Sequence, residues 1–135
     1  MNGFTITNFH GTASFEFVTQ RQGSADIIDA TIRIKYEFEG RTINSTHVWS
    51  LESSQISTFM ENIESMHKTL KGCSSLISFD GDELYMTIDE YGHVEVAVKE
   101  GLADYNGKVE FKFEIDQSYL PDLIAQLKNF VETYR

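Results

Sequence analysis

The segment 109–131 changes from the periodicity of a strand to that of a helix, and this change constrains the fold more than any other feature of the chain. Apolar residues alternate with charged ones over 109–115, which is the pattern of a strand with one buried face. Over 120–131 the apolar residues recur at the spacing of one helical face. Because Pro121 has no amide hydrogen, it fits a first helical turn, and the helix is predicted to begin within 117–120. The segment therefore predicts a sheet covered by a helix.

The rest of the chain repeats these two patterns in a regular order. Strand-like alternation occurs over 4–7, 13–17, 28–38, 42–50, 76–79, 84–88 and 94–98. The inward face of 42–50 is ambiguous, with Trp49 marking its buried end. Residues 51–72 show a helical stripe instead, which comprises Ile56, Phe59, Met60, Ile63, His67 and Leu70. Ser53 or Ser54 is the predicted N-cap, and Gly72 the predicted stop.

This order of elements, ββββα-ββββα, predicts an α+β fold. We expect a strongly bent antiparallel sheet of seven to eight strands, with two amphipathic helices packed on its apolar face. At 135 residues and without a linker-like segment, the chain is expected to form a single domain over 1–135.

Composition and charge indicate where the protein works and what it binds. The first residues do not resemble a secretory signal, and no apolar run approaches 18 residues, so we expect a cytoplasmic protein with no membrane partner. The net charge is −10, and residues 82–116 contribute −7 of it, with ten acidic and three basic residues. Such a field repels nucleic acid and attracts a basic protein partner, although acidity that only keeps the protein soluble is the alternative.

The side chains that most often carry chemistry are not arranged in a recognisable motif. The spacing of the four histidines, His10, His47, His67 and His93, fits no metal-binding pattern, and no cofactor or metal is expected. His67 is interpreted as a residue at the edge of the core. Cys73 is interpreted as a small buried apolar residue, because no nucleophile elbow or partnered histidine accompanies it. We therefore expect a protein that is not an enzyme.

Short blocks in the middle and at the end of the chain carry a family resemblance. They are 111–127 (FKFEIDQSYLPDLIAQL), the Trp49-Ser50-Leu51 entry to the first helix, its Leu70-Lys71-Gly72 end, and 84–96 (LYMTIDEYGHVEV). In these blocks, and in pattern over roughly 4–130, the chain resembles the WapI-type immunity proteins. The resemblance implies a small cytoplasmic bacterial antitoxin that binds and neutralises the C-terminal domain of a contact-delivered polymorphic toxin, often a nuclease. It carries over no toxin-binding residues.

Candidate partner-binding residues come from the outward side of the later strands, where the acidic residues concentrate. They are Tyr85, Asp89, Glu95, Glu110 and Glu114, with Tyr85 or Tyr105 as an aromatic anchor among the charges. The alternative interpretation of these positions is an ordinary solvated sheet face. The expected oligomeric state is a monomer or a weak homodimer.

Two other classes of function fit the same pattern. A pair of four-strand-plus-helix units resembles in outline the Whirly nucleic-acid-binding arrangement, which the net charge of −10 disfavours. A small hydrolase or ligand-binding domain with an unrecognised pocket is the second, and a closed pocket with converging polar groups would support it.

Overall fold

Two antiparallel four-stranded meanders, each followed by a helix, make up the protein in a computed structural model that describes residues 3–19, 26–101 and 107–134. The first sheet contains β1 (Gly3–Thr7), β2 (Ala13–Thr19), β3 (Ile27–Phe38) and β4 (Arg41–Glu52), and α1 (Ser54–Thr69) follows it. The second sheet contains β5 (Cys73–Ile77), β6 (Glu83–Ile88), β7 (His93–Gly101) and β8 (Lys108–Asp116). A 3₁₀ turn (Gln117–Tyr119) then leads into α2 (Leu120–Tyr134).

The predicted α+β class, the element order and the upper strand count are confirmed. The eight strands form two sheets of four, instead of the one strongly bent sheet that was expected, with orders β1-β2-β3-β4 and β5-β6-β7-β8. The inner faces of both sheets and the apolar faces of both helices contribute to one connected core. Trp49 is fully buried in it, as expected for the end of β4, and Pro121 lies in the first turn of α2. The polar segment 19–25, whose glycine is typical of a surface loop, lies outside the described residues except for Thr19.

The end of α1 differs from the expected stripe. Ser53 is the N-cap, but the last turn buries Met66, whereas His67 and Leu70 are exposed. The helix stops at Leu70, which takes the left-handed conformation predicted for Gly72 and donates its N–H to the carbonyl of Met66. The chain then doubles back towards β5, so the last turn buries the side on which the returning strand lies. The interpretation of His67 as a core-edge residue is therefore wrong.

The interpretation of Cys73 as buried is also wrong, because the alternation of side chains along β5 places that of Cys73 on the outer face. Successive strand residues point to opposite faces, and in β5 the inward positions are Ser74 and Leu76. Ser74 satisfies its buried hydroxyl by donating to the carbonyl oxygen of Phe59 on α1, 3.0 Å away. Cys73 is left on the exposed face of the second sheet.

Each helix pairs a glutamine side chain with the first strand of one sheet, α1 with β5 and α2 with β1. On α1, the Gln55 side chain donates to the carbonyl of Ile77 in β5 and accepts from its N–H, at 2.8 and 3.0 Å. On α2, Gln126 makes the same pair with Thr5 in β1, at 3.3 and 2.9 Å. A glutamine amide carries one donor and one acceptor side by side, as a backbone residue does, so it can stand in for a neighbouring strand. The opposite edges are β4 in the first sheet and β8 in the second.

Candidate functional site

The outer face of the second sheet brings together four of the predicted binding residues. Tyr85 on β6, Glu95 on β7, and Glu110 and Glu114 on β8 all alternate with inward apolar residues, so they share the face that points away from the core. Neither helix packs on this face, because the inward residues of the same strands belong to the core with α1 and α2. Tyr105 lies outside the described residues.

At one end of this face the charges alternate and balance. Lys99 stands directly between Glu83 and Glu110 on the neighbouring strands. The ammonium nitrogen of Lys112 lies 3.0 Å from a carboxylate oxygen of Glu110. This hydrogen bond lowers the pKa of Glu110 and raises that of Lys112, so both groups stay charged over a wider range of pH. Glu110 is therefore already partnered within the protein.

At the other end the acidic groups accumulate around His93, and the nearest lysine, Lys112, adjoins Glu95 from the balanced end. Glu95 lies directly opposite Glu114, and His93 lies directly opposite Asp116. The His93 Nδ1 atom is 3.6 Å from a carboxylate oxygen of Asp89 and 3.8 Å from one of Glu114. We call Asp89, Glu95, Glu114 and Asp116 the acidic end of the second sheet.

Two carboxylates of the acidic end are held by their turns in the ionised form. Asp89 lies in the β6–β7 turn and accepts the backbone N–H groups of His93 and Tyr91, at 3.0 and 2.8 Å. The His93 N–H is the main reason that the pKa of Asp89 is lowered. Asp116 caps the 3₁₀ turn, and its hydrogen bonds from Ser118, the hydroxyl first and then the backbone N–H, lower its pKa. Both groups are exposed.

Tyr85 occupies the middle of the same face, half-buried between neighbouring strands. Its pKa is raised, chiefly by a hydrogen bond with the side chain of Cys73 on the adjacent β5. The phenol is therefore neutral at physiological pH and presents an aromatic ring with a hydroxyl beside the charged groups.

An open cleft of about 450 Å³ adjoins the acidic end along the free edge of β8. On one side it is lined by His93, Glu114 and Asp116, and on the other by Phe9 of the β1–β2 turn and by Tyr36 of β3. The two sheets thus meet at this cleft, and negative charge from one faces aromatic surface from the other.

The residues of the acidic end could be found from the sequence only in part. Asp116 was missed, although it continues the alternation of Glu110 and Glu114 along β8. Of the ten acidic residues in 82–116, Glu100 points into the core and Asp104 lies outside the described residues. The cleft could not be found, because it joins residues from distant parts of the chain.

Glu100 explains the ambiguous inner face of β4. It is only 2% exposed, and its carboxylate accepts from the Ser45 hydroxyl at 2.9 Å and the Trp49 indole N–H at 3.3 Å, while His47 Nδ1 lies 2.5 Å away. Because positions 45, 47 and 49 share one face of β4, all three polar groups reach this one carboxylate. Ser45 bonds to the carboxylate and not to the histidine, so the cluster lacks the serine–histidine link of a hydrolase triad.

Two further features are absent from the described parts of the chain, a metal-binding cluster and a membrane-spanning helix. Within 3–19, 26–101 and 107–134, no group of three or more His, Cys, Asp or Glu side chains is placed to hold a metal ion. Among the helices of these residues, none is both long and apolar enough to cross a membrane.

Comparison with known proteins agrees with the resemblance carried by the sequence blocks. No curated protein matches the chain. The model of the immunity protein WapI-like family matches residues 8–135, which is nearly the whole chain and contains strands β2 to β8. The chain therefore belongs to the immunity protein WapI-like family.

Proposed function

We propose that this protein is a cytoplasmic, non-catalytic immunity protein that binds a cognate toxin domain, of the nuclease type, and neutralises it through the acidic end of the second sheet. The observation that carries the proposal is the direct opposition of Glu95 and Glu114 on an open sheet face.

Like charges directly opposite each other on neighbouring strands destabilise a sheet. Folding alone would favour a lysine at one of the two positions, as it does at the other end of the same face, where Lys99 separates Glu83 from Glu110. The repulsion between Glu95 and Glu114 is relieved when a cationic group binds between them. Binding of a basic partner is therefore favoured by the free energy that this repulsion costs the unbound protein.

A nuclease toxin has to hold a polyanion, so its substrate site carries basic residues. Four carboxylates at the acidic end attract such a site over several ångströms and accelerate encounter. The carboxylates also pair with the basic residues of the toxin that would otherwise contact the phosphates of its substrate. Binding and inhibition then follow from the same contacts, and both should weaken as salt concentration rises.

The test is co-expression with the toxin domain encoded next to this chain, with growth rescue and co-purification at low and high salt as readouts. We expect the wild-type chain to rescue growth and to form a salt-sensitive complex. The Glu95→Lys/Glu114→Lys variant should bind roughly tenfold to hundredfold more weakly, because attraction becomes repulsion at the centre of the acidic end.

The matched control is Glu61→Lys/Glu132→Lys, which changes the net charge equally at exposed positions on α1 and α2. This control should rescue as the wild type does. An acidic-end variant that protects as well as the control would contradict the proposed binding site. Failure of the wild-type chain to protect against a toxin of demonstrated activity would contradict the function itself.

A further inference from the structure

The tip of the β3–β4 hairpin exposes apolar side chains on the face that elsewhere forms the core. Tyr36 lies directly opposite Ile43, and Phe38 follows Tyr36 on the same face of β3. Phe38 is 61% exposed and Ile43 is 53% exposed, whereas Ile34, two residues before Tyr36, is buried. We call Tyr36, Phe38 and Ile43 the hairpin patch.

The length of the hairpin explains this exposure. β3 and β4 have 12 residues each, but the pairing of β2 with β3 ends at Tyr36. Phe38 therefore lies past the end of β2. Single exposed apolar residues are ordinary on a protein surface, but two exposed neighbours beside the half-buried Tyr36, all on a core-facing side, indicate an interaction site.

The hairpin patch is continuous with the acidic end. Tyr36 belongs to the patch and also lines the cleft, together with Phe9, whose ring is 93% exposed. Glu114 and Asp116 line the opposite side of that cleft. A partner held by the acidic end would therefore lie beside the aromatic surface.

The charge of the whole chain and of the adjoining acidic end decides which occupant the patch fits. Around Phe38 itself the charges nearly balance, because Lys35 pairs with Glu37 and Arg41 lies directly opposite Phe38, near Glu39. A second copy of this chain would bring a further net charge of −10 against the acidic end beside the patch. A basic partner brings the opposite charge, so the patch favours the toxin over self-association.

We propose that the hairpin patch and the adjoining cleft receive an apolar or aromatic side chain of the toxin domain, flanked on the toxin by basic residues. This inference rests on the proposed function and assigns separate roles in binding to the acidic end and to the hairpin patch. The carboxylates accelerate association, and the desolvated apolar contact slows dissociation, as at interfaces where an aromatic anchor sits within a charged rim.

The test measures binding kinetics of a catalytically inactive form of the neighbouring toxin domain to the full chain and its variants. Phe38→Ala and Phe38→Ala/Ile43→Ala should not unfold the protein, because both side chains are exposed, and thermal melting checks this. We expect the double variant to bind about tenfold to hundredfold more weakly, mainly through faster dissociation, with an unchanged salt dependence.

The matched control is Phe79→Ala in the β5–β6 turn. Phe79 is 58% exposed, close to the value for Phe38, and its N–H donates to the carbonyl of Ser50. Ser50 lies seven residues along β4 from Ile43, which is roughly 23 Å at the rise of a strand. The control should leave the dissociation rate unchanged.

Each alternative result has a distinct meaning. If both patch variants bind as the wild type does while Glu95→Lys/Glu114→Lys binds weakly, the hairpin patch is excluded and the proposed function stands. A wild-type chain that elutes as a dimer, and patch variants that elute as monomers, would assign the patch to self-association and overturn the inference. No binding of the wild type to the toxin overturns both proposals.

Discussion

The outer faces of the two sheets are built alike but carry their charges differently. In the first sheet, Glu16 lies directly opposite Arg33, and the two side chains form an ion pair of 2.8 Å. On the outer face of the second sheet, Glu95 lies directly opposite Glu114 on the neighbouring strand. One face therefore stabilises its sheet through cross-strand charge, and the other places repulsion there.

This difference is local, which makes it informative. Lys35 pairs with Glu37 in the first sheet, and Lys112 pairs with Glu110 in the second, so both faces contain ordinary stabilising pairs. Among the cross-strand pairs of the described residues, Glu95 and Glu114, beside the cleft, are alone in placing two like charges opposite each other. A residue set that costs stability at one place on the surface is better explained by binding than by folding.

The largest expected effect on stability comes from the buried carboxylate of Glu100, in contrast to the exposed carboxylates of the acidic end. Glu100→Ala should lower the free energy of unfolding by about 3 kcal/mol, because His47, Ser45 and Trp49 lose their common acceptor between the sheets. Urea unfolding measures the loss, and toxin affinity should be unchanged for the fraction that stays folded. A loss below the error of the method would show that Glu100 does not join the two sheets.

The next effect compares the two closed edges. Gln126→Ala should cost about 1 kcal/mol, because its hydrogen bonds with Thr5 are partly buried, and Gln55→Ala about half of that, because its bonds with Ile77 are exposed. Urea unfolding of both variants gives the order, and protection of the two amides from hydrogen exchange shows the site of the change. The reverse order would mean that the edge of the second sheet depends more on its helix.

A smaller effect tests the comparison of the faces directly, through opposite signs. Arg33→Glu creates a like-charge pair with Glu16 and should destabilise the protein by about 0.5 kcal/mol, whereas Glu95→Lys creates an attractive pair with Glu114 and should stabilise it by less, because the new lysine also lies near Lys112. Glu61→Lys on α1 corrects for the change in net charge made by Glu95→Lys. Equal signs for the two substitutions in thermal melts would remove the proposed contrast.

The smallest effect concerns pH and the β6–β7 turn. Because the pKa of Asp89 is lowered by folding, its contribution to stability is complete above its ordinary value of 3.8 and is lost as the pH falls through the lower folded value. Asp89→Asn should therefore be less stable than the wild type at pH 7, and the difference should shrink in acid. A difference in unfolding free energy that is the same at pH 7 and pH 3 would contradict this.

Alternating patterns predicted the fold class, the order of elements and the shared face of Tyr85, Glu95, Glu110 and Glu114. Period-2 alternation depends only on neighbours in the chain, so it is readable from sequence. The role of Glu100 was not readable, because its partners on β4 are more than 50 residues away. The cleft, and the burial of Met66 in place of His67, also depend on contacts between distant parts of the chain, so local patterns could not predict them.

The pairing of α2 with β1 has a consequence for synthesis. The bond that covers β1 joins residues 121 positions apart, Thr5 and Gln126. At translation rates of about 5 to 20 residues per second, roughly 6 to 24 s separate their appearance. Throughout that interval the edge of the nascent first sheet lacks this bond, which forms once α2 has been synthesised.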